Sequence, residues 1–380
     1  MRDERLGKIA DNLISYSLDV QAKQHIMIMV VDEGEALAME LVKRLYAKGA
    51  YPHLRFIRPK VQREWLKGLT EEQLTQTVQW EKDLWFGIQG YIGIHGETND
   101  SEMKDVPQEK YRLYAEAYDS IFHHVDNQIT GLRINYPTSA LAQKANMTTE
   151  AFEDFYFNVC SLDYRKMAEA CQPLYDLMDK TDKVRIVGPG TDLTFSIKGI
   201  GTRTAVGKRN IPDGEVYTSP VRDSIHGTIN YNTPSNFKGT AFENVRFTFR
   251  EGKIVKAYAN HTDKLTEILD TDEGARYVGE FAIAFNPYIL HPMGDILFDE
   301  KIAGSFHLTP GRAYDQADNG NRSAIHWDLI CIQRPEYGGG EIWFDDVLIR
   351  KDGRFVHEAL VGLNPEQLSV NNRIGLPQSE

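Results

Sequence analysis

Residues 25–57 read HIMIMVVDEGEALAMELVKRLYAKGAYPHLRFI, and this stretch decides the class of fold. His25–Asp32 is an unbroken apolar run between polar ends. It is too short for a helix and typical of a strand buried on both faces of a parallel sheet. Residues 34–49 follow with helical spacing and stop at Gly49, a natural helix end. Tyr51–Ile57 is a second strand. A strand, a helix and a strand joined by a crossover this long make a βαβ unit.

Working outward, residues 3–17 place Leu6, Ile9, Ala10, Leu13 and Ile14 on one helical face. Residues 70–88 have a helical pattern, 91–95 (YIGIH) form a third short strand, and 148–180 are helical again. The pattern changes near 183. KVRIVG and DLTFSIKG are short strands around a Gly188-Pro189-Gly190 turn. Residues 244–259 alternate with period two about Glu251-Gly252, which predicts a hairpin. EIWFDDVLIRKDGRFV repeats the logic about Asp352-Gly353, and 262–285 between the hairpins is read as helix. The expectation is an α/β N-terminal domain with a parallel sheet, residues 1–180, and a β-rich α+β C-terminal domain, residues 181–380.

Composition narrows the function. The chain has 380 residues, 41% of them hydrophobic, enough for a proper core without disulfide or metal staples. Its net charge of −12, with no run of Lys or Arg, argues against a nucleic-acid binder. No stretch is long and apolar enough for a membrane span. The opening MRDERLGKIADNL is charged from its second residue and is not read as a signal peptide. Three widely spaced cysteines, Cys160, Cys171 and Cys331, suggest no disulfide framework, so a reducing cytoplasm is expected. There is no GxGxxG, no GxxxxGK[ST] and no GxSxG, so neither a nucleotide fold nor a nucleophile elbow is expected.

The histidines point elsewhere. His25, His53, His95, His123 and His124 lack clustered carboxylates and are read as structural or surface residues. His326 stands two residues before Asp328, in NRSAIHWDLI. On extended chain these two side chains share a face, with Trp327 on the other. They either grip one cation or form a plain hydrogen-bonded pair. His307 lies in AGSFHLTPGRAY. Glu215 sits where a Pro/Gly turn flows into residues of strand type, as a fixed carboxylate or an exposed turn residue. Glu280 is spaced for a surface ion pair with Arg276, yet it precedes the apolar run FAIAF, where a carboxylate needs a partner. Glu300 is a further candidate. Two histidines with three or four carboxylates exceed the ligands of a mononuclear catalytic zinc and suit two divalent ions. Tyr314, seven residues after His307, is placed to donate a hydrogen bond to an oxyanion.

NIPDGEVYTSP, LDTDEGARYVGE, LFDEKIAGSFHLTPGRAY, NRSAIHWDLI and WFDDVLIRKDGRF follow one another in that order. Together they resemble the thermophilic aminopeptidase family of metallopeptidases. The resemblance implies metal ligation by Glu215, Glu280, Glu300, His307, His326 and Asp328, and a catalytic tyrosine at Tyr314. It also implies two divalent ions (Zn, Co, Mg or Mn), peptide substrates with a free N-terminus, and a homodimer. Either Glu215 or Glu280 would shuttle the proton to the leaving amine. Two spacings depart from the family: His307 to His326 is shorter, and Glu300 to His307 longer. Two other readings stay open. His307, His326 and Asp328 also make the facial triad of a mononuclear Fe(II) ring-cleaving dioxygenase, which has no need of Glu215 and Glu280. A catalytically inactive binding or scaffold protein would usually have lost a ligand position.

Overall fold

The computed structural model describes residues 3–369, apart from the Asp126 side chain. The chain divides into two compact units. One comprises residues 1–161 and 207–211; the other comprises 162–206 and 212–380.

The first unit is built on the βαβ stretch. His25–Asp32 pairs in parallel with Tyr51–Ile57 on one side and Gly90–Gly96 on the other. Thr130–Asn135 and a two-residue strand, Asn210–Ile211, complete a five-stranded, all-parallel sheet. Ile26, Ile28 and Val30 of the first strand are buried, as a strand covered by helices requires. The crossover helix is Glu35–Ala47, and Gly49 follows its end at φ +76°. Glu71–Trp85 is helical as predicted. The helix Gln108–Gln128 and the strand Thr130–Asn135 are additions to the sequence reading. His25 and His53 lie 2.8 Å apart, Nδ1 to Nε2, and His124 stacks on Phe86.

The second unit is dominated by antiparallel pairing. An eight-stranded sheet contains the hairpin Arg246–Arg250/Lys253–Tyr258, whose turn residues Glu251 and Gly252 both have positive φ. It also contains the strands Glu341–Phe344, Val347–Lys351 and Arg354–Phe355, with a second such turn at Asp352-Gly353. The helix Tyr164–Lys180 belongs here and buries Met167, Cys171, Leu174 and Met178. A smaller five-stranded sheet carries, from edge to edge, Ile330–Ile332, Ser305–Pro310, Val278–Ala284, Glu215–Thr218 and Arg203–Ala205.

One element differs from its sequence reading. Residues 262–285 are not one helix: Thr262–Leu269 is, a short turn at Glu273–Arg276 follows, and Val278–Ala284 is a strand. All seven residues of that strand are buried. A strand covered on both faces loses the period of two and reads like a buried helix. Phe281 on it packs edge-on against Phe195, with ring centroids 5.1 Å apart. Phe281→Ala is therefore expected to lower the unfolding free energy by about 3–5 kcal/mol. Urea denaturation reads this, and a loss below about 1 kcal/mol would show that the strand is not a packing centre.

Candidate metal centre

Burial of that strand places an ionisable side chain in the interior. Glu280 sits on Val278–Ala284, Glu215 opens the neighbouring strand, and His307 lies on the strand opposite. The register sets Ala284 across from Glu215 and Ala282 across from His307. His326 joins through a single bridge to Gly311, which has φ +111°. A Cβ on Gly311 would lie 2.1 Å from the Ile325 carbonyl oxygen, so only glycine lets the two segments approach. His326 and Asp328 do share a side, on an extended segment rather than within a strand. Trp327 turns away, buried, and its indole donates to Ser235 Oγ.

The distances define two groups. His307 Nε2 lies 3.8 Å from Glu215 Oε2 and 3.6 Å from Glu280 Oε1. His326 Nε2 lies 3.2 Å from Glu280 Oε2 and 3.2 Å from Asp328 Oδ1. Within each group, Glu215–Glu280–His307 and Glu280–His326–Asp328, the potential ligand atoms fall within 4.8 Å of one another. Glu280 belongs to both. Thr309 Oγ1 donates to Asp328 Oδ1 at 2.7 Å and fixes that carboxylate. Arg276 does not pair with Glu280; it pairs with Asp270.

The donor set fits a divalent cation. His326 Nδ1 lies 2.8 Å from the Arg312 carbonyl oxygen, which only accepts, so Nδ1 carries a proton. In the neutral ring, Nε2 is then a lone pair aimed between two carboxylates, and it is buried without a hydrogen-bond partner. Glu215 Oε2 is likewise buried and unpartnered. Such atoms are costly to leave facing one another. Without an ion, protons take up the task. Burial lowers the pKa of His326, but Asp328 and Glu280 overcome it and push it up to about 11. Burial opposes charge on His307 too, yet Glu215 and Glu280 push it up to about 9. Desolvation raises Glu215 to about 8 despite Lys301 and His307. Metal ligation answers all three demands with one kind of charge.

The remaining named residues occupy the flanks. Tyr314 is 37% exposed, with its ring 4.6 Å from that of His326, centroid to centroid. Loss of water around its phenol, then Glu280 and Asp328, hold its pKa well above the ordinary tyrosine range. It therefore stays a hydrogen-bond donor. Glu300 lies in neither group; its Oε1 is 2.9 Å from Lys301 Nζ. Lys301 and Asp213 are buried beside the centre, and their sequence surroundings do not mark them as part of it. Adjacency is their one sequence signal: Asp213 stands two residues before Glu215, and Lys301 next to Glu300.

Comparison with known proteins gives the family. The model of the M29 family, described as thermophilic metalloprotease, matches residues 2–355. Aminopeptidase PepS of Streptococcus thermophilus is 23% identical, over 86% of this chain and 92% of its own length. Aminopeptidase 2 of Geobacillus stearothermophilus is 24% identical, over 93% and 95%. Aminopeptidase T of Thermus thermophilus reaches 34% identity over 38% of this chain and 41% of its own. The solved structure of wild-type AmpT from Thermus thermophilus superposes with a TM-score of 0.75 at 21% identity, covering 93% of this chain and 99% of that one, a likeness of fold. With the family model spanning nearly its whole length, the chain belongs to the M29 family of thermophilic metalloproteases.

Proposed function

We propose that this chain, a metal-dependent aminopeptidase of the M29 family, works with two divalent ions held in the C-terminal unit. The observation that carries this reading is the double membership of Glu280. Glu215, Glu280 and His307 would hold one ion; Glu280, His326 and Asp328 would hold the other. The metal is Zn, Co, Mg or Mn. When bound, the ions supply a water of lowered pKa as nucleophile and offset the charge developing on the substrate carbonyl oxygen.

The chain's own residues do the rest. The Arg312 carbonyl and Thr309 fix His326 and Asp328, so that neither has to reorganise. Tyr314, exposed at the flank and held protonated, donates to the oxyanion. Glu215 or Glu280 carries the proton to the leaving amine. The substrate is a peptide with a free N-terminus. A facial triad of His307, His326 and Asp328 alone would leave Glu215 Oε2 and Glu280 without a task, which favours the dinuclear reading over an Fe(II) dioxygenase. Five donor residues in two groups speak against an inactive scaffold. Among the described residues no helix is long and apolar enough to cross a membrane. A cytoplasmic homodimer completes the reading, resting on the family resemblance and on three free, buried cysteines.

Three outcomes follow from these assignments. Chelator-stripped protein is expected to be silent on leucyl-p-nitroanilide and to recover with one or more of Zn²⁺, Co²⁺, Mg²⁺ and Mn²⁺. Silence with every ion, on this and several other aminoacyl substrates, would remove the aminopeptidase reading. Tyr314→Phe is expected to lower kcat by about 10²–10³-fold, as loss of an oxyanion donor does. KM and metal content should hardly move, and a change confined to KM would place Tyr314 in binding instead. His326→Ala and Asp328→Ala should each release an ion, measured by elemental analysis of the dialysed protein. Full retention and full activity in both would sink the ligand assignment.

A further inference from the structure

Beside the two donor groups lies a third cluster of acids that already holds a cation. Lys301 is 1% exposed, a rare situation for lysine unless it is paired. Its Nζ lies 2.5 Å from Glu215 Oε1, 2.9 Å from Glu300 Oε1 and 3.4 Å from Asp213 Oδ1. An ammonium has three donors, and three carboxylates surround this one. Asp213 is itself fixed, accepting from the Gly214 amide.

We propose that Lys301 is a built-in third cation of the centre, occupying the seat among Asp213, Glu215 and Glu300 that a metal ion would otherwise take. The proposal rests on the dinuclear reading above and deepens it. Charge supports it. Asp213, Glu215, Glu280, Glu300 and Asp328, when all are ionised beside bound cations, bring five negative charges to the region. One ammonium and two divalent ions, with both imidazoles neutral, cancel them. Two ions without the lysine would leave one buried carboxylate uncompensated, and one ion with it would leave two.

Geometry supports it as well. Lys301 engages Oε1 of Glu215, while Oε2 of the same carboxylate faces His307 and has no hydrogen-bond partner. The lysine therefore orients Glu215, leaving one oxygen for metal. It also ties Glu300 down, so Glu300 is a partner of Lys301 and not a metal ligand, contrary to what the family resemblance implies. Lys301 is thus a positioning residue that sets how many ions the centre holds and which acids bind them.

Metal content tests this directly. Wild type, Glu280→Gln, Glu300→Gln and Lys301→Ala are stripped, reloaded with Zn²⁺ or Mn²⁺ and dialysed. Ions per folded chain are then counted by plasma mass spectrometry, with folding checked by circular dichroism. The expected counts are two for wild type, fewer for Glu280→Gln, two for Glu300→Gln and three for Lys301→Ala, whose freed acids accept an ion. Loss of an ion in Glu300→Gln, or a folded Lys301→Ala still holding two, overturns the proposal while leaving the metal centre standing. If Lys301→Ala does not fold even when loaded, Glu300→Gln decides: two ions support the proposal and fewer overturn it. A wild-type chain that takes up no ion overturns the dinuclear reading and this proposal together.

Discussion

Carboxylates in a protein interior must meet positive charge, because an isolated ionised acid away from water is among the costliest groups to bury. The C-terminal unit buries Asp213, Glu215 and Glu280 almost completely, beside His307 and Lys301. Hydrophobic burial would be better served by apolar residues of the same size. The small sheet therefore gathers acids that need positive charge beside them. Lys301 is one such cation, already in the chain, and the carboxylates also raise the pKa of His307 and His326.

Strand pairing is what makes the arrangement rigid. Three adjacent strands present Glu215, Glu280 and His307, and their registers are locked by hydrogen-bonded ladders on both sides of the middle strand. A slip of one residue would turn every one of these side chains to the opposite face. His326 and Asp328 come from an extended segment held by one bridge, by the Arg312 carbonyl and by Thr309. The site thus combines acids on a fixed frame with a less regular flank, where Tyr314 stands partly open to solvent. That division suits a hydrolase, which needs invariant ligands and an accessible oxyanion donor.

The legibility of these features in the sequence follows the same physics. The parallel sheet announces itself at His25–Asp32, because a strand covered on both faces is a short apolar run bounded by polar residues. The same rule misleads at Val278–Ala284, where the preceding helical residues blur the boundary and the run reads as more helix. His326 and Asp328 are legible because a spacing of two means a shared face in any extended chain. Glu215 and Glu280 show through their neighbours, a turn before a strand and an apolar run after an acid. Lys301 and Asp213 do not show, since a lysine beside a glutamate is ordinary on any surface. Only the three-dimensional approach of segments far apart in sequence makes Lys301 the centre of an acid cluster.

That long-range convergence ties the chemistry to stability. The donor atoms come from four separate segments, around 215, 280, 307 and 326–328, and the chain between them builds much of the unit. An ion bound by these groups joins strands that are remote in sequence, and an unfolded chain offers no such arrangement. Binding free energy therefore becomes folding free energy, in proportion to how far free metal exceeds its dissociation constant. Lys301 acts in the same sense without leaving the chain, linking the segment at 300 to those at 213 and 215. A covalently attached cation cannot be lost to a chelator. It keeps part of the acid cluster neutralised while the ions are absent, so the frame that must receive them is already drawn together.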